Sequence, residues 1–119
     1  MRLLFFEEIN MSINEEYQKL IEKRESIEGD IDYDNNPVIQ EMIKLLTDDI
    51  NATVSFLDAE CTESQFVWMS EIFDEIAEYT RSKAFIHALR RTAQKYPNAT
   101  EQYNIDYFID SAEDYVDLV

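Results

Sequence analysis

Apolar residues recur every three or four positions along most of this chain, which is the spacing of one face of an α-helix. We interpret the pattern as five amphipathic helices in a bundle, with the short apolar run LLFF near the N-terminus as a sixth element. The helices are expected over residues 13 to 28, 37 to 57 with an interruption near Asn51, 63 to 79, 83 to 96 and 105 to 116. The inward-facing positions include Tyr79 in the third helix and Phe108 in the fifth.

Capping signals support these bounds. Two pairs, Ser12 with Glu15 and Thr62 with Gln65, match the capping box, in which the two residues satisfy each other's backbone N–H groups. Gly29 suits the left-handed position after the first helix, and Tyr96-Pro97 ends the fourth. Further N-caps are predicted at the positions before the second, fourth and fifth helices, which are Asn36, Ser82 and Asn104.

Composition agrees with this pattern. The chain has 119 residues, of which 45% are hydrophobic, and that is enough to bury one core. One glycine and two prolines are too few for the turns of a many-stranded sheet. We therefore predict an all-α fold in which residues 1 to 119 form a single domain.

Few side chains suggest chemistry. The single cysteine, Cys61, and the single histidine, His87, supply neither a disulfide nor a metal-ligand cluster. Cys61 lies beside Glu60 and Glu63, which should raise its pKa and keep the thiol unreactive. With no glycine-rich phosphate loop and no apolar run long enough to span a membrane, we expect a cytoplasmic protein that is not an enzyme and has no catalytic residues, metal or cofactor.

Net charge is the strongest global feature. Twenty-six acidic against ten basic residues give a formal charge of −16, which repels nucleic acid and anionic membranes and attracts basic surfaces. The chain is therefore expected to bind a basic protein, and neither nucleic acid nor a membrane. The alternative is that the charge serves only solubility.

The charge is unevenly distributed. Residues 81 to 100 contain five basic residues and no acidic one, whereas residues 101 to 119 contain six acidic residues and no basic one. The basic residues of the fourth helix would either neutralise neighbouring acidic helices or, less consistently with the overall charge, bind RNA phosphate. These five basic residues cannot neutralise the charge of all the acidic residues of the third and fifth helices.

The predicted partner-binding residues are the outward acids of those two helices with one tyrosine among them, since tyrosine surrounded by carboxylates is a common interface anchor. The same tyrosine would otherwise be an edge-of-core residue with its hydroxyl in water. The predicted set is Glu71, Asp74, Glu75, Glu78, Asp106, Tyr107, Asp110, Glu113 and Asp117.

The stretch DIDYDNNPVIQE at residues 30 to 41 resembles a calcium-binding loop, because acidic residues stand at the first, third, fifth and twelfth places. Its sixth place holds Asn35 where such loops need glycine, and its eighth holds Pro37. A solvated acidic loop between two helices accounts for both departures, so we favour that interpretation over a calcium site.

Three stretches, FLDAECTESQFVWMSEIFDEI, ALRRTAQKYPN and YNIDYFIDSAEDYV, resemble small acidic bacterial immunity proteins of polymorphic and contact-dependent growth-inhibition toxin systems. The resemblance covers residues 56 to 117 in size, helical character and acidity, and it assigns no role to any residue. It implies a tight, non-catalytic inhibitor of a toxin domain, often a nuclease. The alternative function is a helical adaptor or regulatory subunit in a larger assembly, for which we expect a large exposed apolar patch.

Overall fold

The computed structural model describes residues 12–26 and 37–117, and every regular element in those ranges is an α-helix. The helices are α1 (Ile13–Glu25), α2 (Pro37–Asp48), α3 (Ile50–Ala59), α4 (Glu63–Ser70), α5 (Phe73–Thr80), α6 (Lys83–Lys95), α7 (Pro97–Gln102) and α8 (Ile105–Asp117). The all-α class is confirmed, but the described ranges contain eight helices instead of about five. The LLFF run, the caps at Gly29 and Asn36 and most of the calcium-like loop lie outside the described residues.

None of the helices in the described ranges combines the length and apolar character needed to cross a membrane.

One hydrophobic core contains side chains from each of the helices α1 through α6 and from α8. Its largest members are fully buried aromatic rings contributed by different helices, and several meet edge to face, a favourable geometry for aromatic pairs. The rings of Tyr17 and Phe56 lie 5.9 Å apart between centroids, and those of Phe73 and Phe85 lie 6.3 Å apart. The core therefore connects α1 with α3, and α5 with α6.

Both predicted capping boxes are present. Ser12 Oγ accepts a hydrogen bond from the Glu15 N–H at 3.1 Å, and Thr62 Oγ1 accepts one from the Gln65 N–H at 3.2 Å. Ser82 caps α6 as predicted. Asn104 departs from the prediction, because its backbone has φ 55 and not the extended conformation usual for an N-cap.

Three interruptions explain the additional helices. The Asp49 side chain accepts a hydrogen bond from the Ala52 N–H at 3.2 Å and starts α3, two residues before the predicted break. The Ile72 N–H bonds to the Met69 carbonyl at 2.9 Å, a tighter turn that separates α4 from α5. Pro97, predicted to end the fourth helix, also occupies the first turn of α7, where its missing N–H costs nothing.

At two of these interruptions, a buried threonine makes the same kind of hydrogen bond. Thr53 Oγ1 donates to the Leu46 carbonyl at 2.8 Å, and Thr100 Oγ1 donates to the Ala93 carbonyl at 3.1 Å, in both cases seven residues back along the chain. Each carbonyl belongs to the last turn of a helix, where the regular intrahelical N–H partner is lost. The Ala93 carbonyl also accepts the Tyr96 N–H at 3.2 Å, so the two hydroxyls add hydrogen bonds that connect the end of one helix to the helix that follows.

Two predicted core residues prove to be exposed, since Tyr79 is 75% accessible and Phe108 is 38% accessible. The interruption before α5 makes Phe73, Ile76 and Ala77 its inward face, and Tyr79 projects roughly 110° from the centre of that face. Phe108 lies at the edge of the inward face of α8. The assignment of both residues to the core was wrong.

A polar contact within the core attaches α1 to α4. The Tyr17 hydroxyl, fully buried, donates to the Gln65 backbone carbonyl at 2.9 Å. The Gln65 side-chain amide in turn donates to Asn14 Oδ1 at 2.8 Å and to Gln18 Oε1 at 3.1 Å. The capping glutamine of α4 is thus also the anchor for α1.

We expect Tyr17→Phe to lower the free energy of unfolding by roughly 1–2 kcal/mol, because the buried hydrogen bond that connects α1 to α4 would be lost. Urea denaturation followed by circular dichroism measures the change. The matched control is Tyr79→Phe, which removes a hydroxyl from an exposed ring and should leave stability unchanged. Equal effects of the two substitutions would contradict a specific role for the Tyr17 hydroxyl.

Candidate interaction surface

Helix α8 packs between α5 and α6. Its inward residues Ile105, Ile109 and Ala112 are completely buried. On one edge, the Ser111 hydroxyl donates to Asp74 Oδ2 of α5 at 3.1 Å. On the opposite edge, Arg90 of α6 reaches α8. Each polar edge of α8 therefore has a different neighbour.

The predicted acidic row of α8 lies on the α6 edge. Arg90 Nη2 lies 2.9 Å from Asp110 Oδ1 and 2.7 Å from Glu113 Oε1, and these hydrogen bonds, that to Asp110 first, raise the pKa of the guanidinium. One positive charge thus serves two carboxylates and leaves the group net negative. The ends of the row, Asp106 and Asp117, are exposed and form no ion pair with any residue the structure describes.

Asp117 lies near two cationic side chains, although it forms no ion pair with either of them. It lines a cleft of about 350 Å³ together with Arg81 and Lys83. The basic helix therefore neutralises part of the row, as one of the two expectations for it held, and Asp106 shares a cleft of about 620 Å³ with the same Arg90.

The four predicted acids of the third helix lie apart from this row, on α5 and on the turn before it. Asp74 faces α8 through Ser111, and its second oxygen, Oδ1, is buried without a hydrogen bond. Glu78 is exposed, and Glu75 is half-buried. Burial raises the pKa of Glu71, while Arg24 opposes that effect. The nine predicted residues therefore lie on α8, on α5 and on the turn before α5, and they do not share one face.

Aromatic side chains form an exposed group around the start of α8. Tyr107 is 61% exposed, and Tyr103, just before α8, is 48% exposed. The ring of Phe108 packs edge to face on Tyr107 with centroids 5.4 Å apart. Tyr107 belongs to the predicted partner-binding set and is exposed as that prediction requires, whereas the exposure of Tyr103 and Phe108 was not predicted. Periodicity had placed Phe108 in the core, and no sequence signal distinguished Tyr103 from the other tyrosines.

Most remaining basic side chains near α8 make contacts within the chain. Arg91 forms two hydrogen bonds of 3.0 Å with the Asp58 carboxylate. Lys95 donates to the carbonyls of Leu57 and Asp58 at the end of α3. Arg81 Nη1 donates to the Tyr115 carbonyl at 2.9 Å. Most of this basic helix is therefore engaged in holding the fold together.

A cleft of about 490 Å³ runs between α4 and α7. Glu63, Trp68 and Glu71 line its α4 side, and Asn98, Gln102 and Tyr103 line its α7 side. Tyr103 thus belongs both to this cleft and to the exposed aromatic group. The cleft was not predicted, because α7 itself was not.

The two residues considered for chemistry do not meet. Cys61 is 4% exposed, and burial, instead of the neighbouring glutamates that the sequence suggested, raises the pKa of its thiol to about 12, with Lys95 opposing. His87 is exposed on α6. Within the described ranges, no group of three or more His, Cys, Asp or Glu side chains is arranged to hold a metal ion. Of the calcium-like loop, Glu41 is described, and it lies 3.9 Å from Lys23.

Comparison with known proteins finds no matching family, no similar curated protein and no similar solved structure. The resemblance to immunity proteins therefore stays a prediction.

We expect Arg90→Gln to lower the free energy of unfolding by less than about 1 kcal/mol at low ionic strength, because Asp110 and Glu113 would then face each other without a cation. The loss should shrink in about 1 M NaCl, which screens exposed charges. Chemical denaturation at the two salt concentrations measures it. Lys83→Gln, exposed on the same helix, makes the same change in net charge, and an equal effect there would rule out a specific Arg90 bridge.

Cys61 predicts a particular alkaline profile. Its usual pKa near 9.0 applies to the unfolded chain and a pKa of about 12 to the folded one, so above pH 9 unfolding releases a proton. Its contribution is complete below pH 9 and is lost as the pH rises towards 12, by up to about 1.4 kcal/mol per pH unit. Cys61→Ala should therefore show a shallower fall in stability between about pH 8 and about pH 10, measured by urea denaturation. Parallel profiles for the two proteins would contradict the assignment.

Proposed function

We propose that this chain is a non-catalytic immunity protein or inhibitor that binds a basic toxin domain through the outer surface of α8. The observation that carries the proposal is the ring of Tyr107, 61% exposed on a rigid helix. Asp106 is adjacent to it, and Asp114 lies two turns further along the same face, both exposed. An aromatic ring contributes contact area at low entropic cost, and the carboxylates beside it attract a cationic partner.

The wider charge distribution supports the same surface. From residue 63 to residue 117 the chain has eleven acidic and five basic residues. Four of those basic residues, Arg81, Arg90, Arg91 and Lys95, make hydrogen bonds within the chain. A negative potential over this half of the molecule would speed association with a basic surface.

A nuclease toxin is the partner class that fits best, because a site that holds phosphate must be basic. An acidic domain that covers such a site, or its rim, inhibits it by exclusion of the substrate alone. No catalytic group is required of the inhibitor, in keeping with the unreactive, buried Cys61.

A helical adaptor in a larger assembly is the second candidate. The exposed rings of Tyr103 and Phe108 favour it, since an adaptor would present an apolar patch. The two candidates differ in salt dependence. An inhibitor recruited by charge associates more slowly as the salt concentration rises, whereas an apolar contact is nearly indifferent to salt.

The test uses the immobilised chain to capture a partner from a lysate of the producing organism. The recovered protein is identified by mass spectrometry and purified, and its association rate is measured at about 0.05 M and about 0.5 M NaCl. We expect a basic protein whose association slows roughly ten-fold or more over that range. A partner whose association rate does not fall with salt would overturn the inhibitor proposal.

A pair of matched variants locates the surface. Asp106→Asn/Tyr107→Ala/Asp114→Asn removes two carboxylates and one exposed tyrosine from α8, and we expect it to weaken binding by roughly ten-fold or more. Glu16→Gln/Glu25→Gln/Tyr79→Ala makes the same change elsewhere on exposed positions and should bind like the unmodified chain. Equal losses in both variants would show that net charge, and not this surface, governs binding.

Toxin inhibition has its own readout. Expression of the captured partner in a bacterial host should arrest growth, and co-expression of this chain should restore it. A partner that leaves growth unaffected would favour the adaptor.

A further inference from the structure

The cleft between α4 and α7 has walls built from two facing helices. Glu63 and Glu71 lie on one face of α4 because they are eight residues apart, about two turns, with Trp68 between them. Asn98 and Gln102 lie one turn apart on α7, opposite them. At about 490 Å³ the cleft falls within the size range of small-ligand sites.

The lining is suited to a cation. Its carboxylates and side-chain amide oxygens accept hydrogen bonds, and no lysine or arginine of the described ranges lines it. The aromatic rings of Trp68 and Tyr103 present negative π-faces that attract positive charge. Desolvation raises the pKa of Glu71 and the charge of Arg24 opposes that effect, so a positive charge beside this carboxylate favours its ionised form.

Trp68 already attracts a guanidinium inside the fold. The guanidinium carbon of Arg24, from α1, lies 5.9 Å from the centre of the Trp68 ring, and its charge acts on Glu71. Arg24 is not one of the side chains that line the cleft. The ring therefore interacts with a cation of this chain while it also forms a wall of the cleft.

We propose that this cleft binds one arginine side chain of a basic partner protein, with the guanidinium against the Trp68 and Tyr103 rings and its N–H groups donated to Glu63 or Glu71. Arginine is preferred over lysine because its planar, weakly hydrated guanidinium stacks on aromatic rings and donates in several directions at once. The identity of the occupant rests on the proposed function, whereas the preference for a guanidinium rests on the lining alone.

The position of Tyr103 connects the cleft to the proposed interface. Tyr103 lines the cleft and is 48% exposed, and Tyr107 stands four residues later in the chain, in the first turn of α8. A basic partner docked on α8 would therefore lie next to the cleft and could place an arginine in it. An interface anchored by one side chain in a pocket is a common way to obtain tight binding.

Trp68 makes the inference directly testable, because it is the only tryptophan in the chain and so its fluorescence reports on the cleft. The probe is acetylated and amidated tri-arginine, and the comparison compounds are tri-lysine with the same end groups and spermidine, which carry the same charge. We expect tri-arginine to give a saturable change in Trp68 emission, with a dissociation constant at least about five-fold lower than those of the other two.

Variants test the lining. Glu71→Gln and Tyr103→Ala should each weaken tri-arginine binding by roughly three- to ten-fold. The control Glu16→Gln/Tyr79→Ala removes a carboxylate and an exposed tyrosine outside both the cleft and the α8 surface, and it should change tri-arginine binding less than about two-fold. Thermal unfolding followed by circular dichroism verifies that each variant is folded, and either cleft variant alone suffices if the other unfolds.

Three results would overturn the inference. The first is that tri-lysine binds as tightly as tri-arginine. The second is that spermidine does so, which would identify a polyamine site. The third is that the control variant loses as much affinity for tri-arginine as the cleft variants. None of these results depends on partner capture. If partner capture requires the α8 surface but tri-arginine does not bind in the cleft, only the proposal of an arginine site is wrong. If tri-arginine binds in the cleft but no partner with salt-sensitive association is found, the guanidinium preference of the cleft holds and the proposed function is wrong.

Discussion

Burial of the inward edge of α8 between α5 and α6 is the constraint on which the surface of this protein depends. Ile105, Ile109 and Ala112 have no accessible surface, and alanines at Ala77 of α5 and Ala88 of α6 are also fully buried. Small side chains allow helices to approach closely. Because the apolar face of α8 packs against both neighbouring helices, α8 is held in one orientation. Each of its two polar edges therefore has a fixed neighbour.

That constraint determines how the excess negative charge is distributed. Arg90 lies beside the acidic row on the α6 edge and bridges Asp110 to Glu113, while the α5 edge meets Asp74 through a serine hydroxyl. The outward face between these edges retains Tyr107 among uncompensated carboxylates. Like charges on one helix weaken it slightly, so cations brought by a partner would relieve a repulsion that the isolated chain tolerates.

Sequence patterns predicted local structure well where the cause was local. The capping boxes at Ser12 and Thr62 involve residues three apart, so their geometry is contained in the sequence. The break before Ile72 was not predictable in this way, since neither glycine nor proline marks it, and it is why Tyr79 is exposed. The sequence around Thr53 likewise did not predict that its hydroxyl would donate to the Leu46 carbonyl, seven residues earlier, at the break between α2 and α3.

The sequence by itself determined the all-α class, most helix starts and the excess of acidic charge, because periodicity, caps and composition act over a few residues or over the whole chain. Only the tertiary structure decided which carboxylates would meet Arg90, that Tyr103 would stand beside Trp68, and that a cleft would open between α4 and α7. Those contacts join residues twenty to forty positions apart. They depend on how helices pack against one another, which the spacing of residues within each helix does not specify.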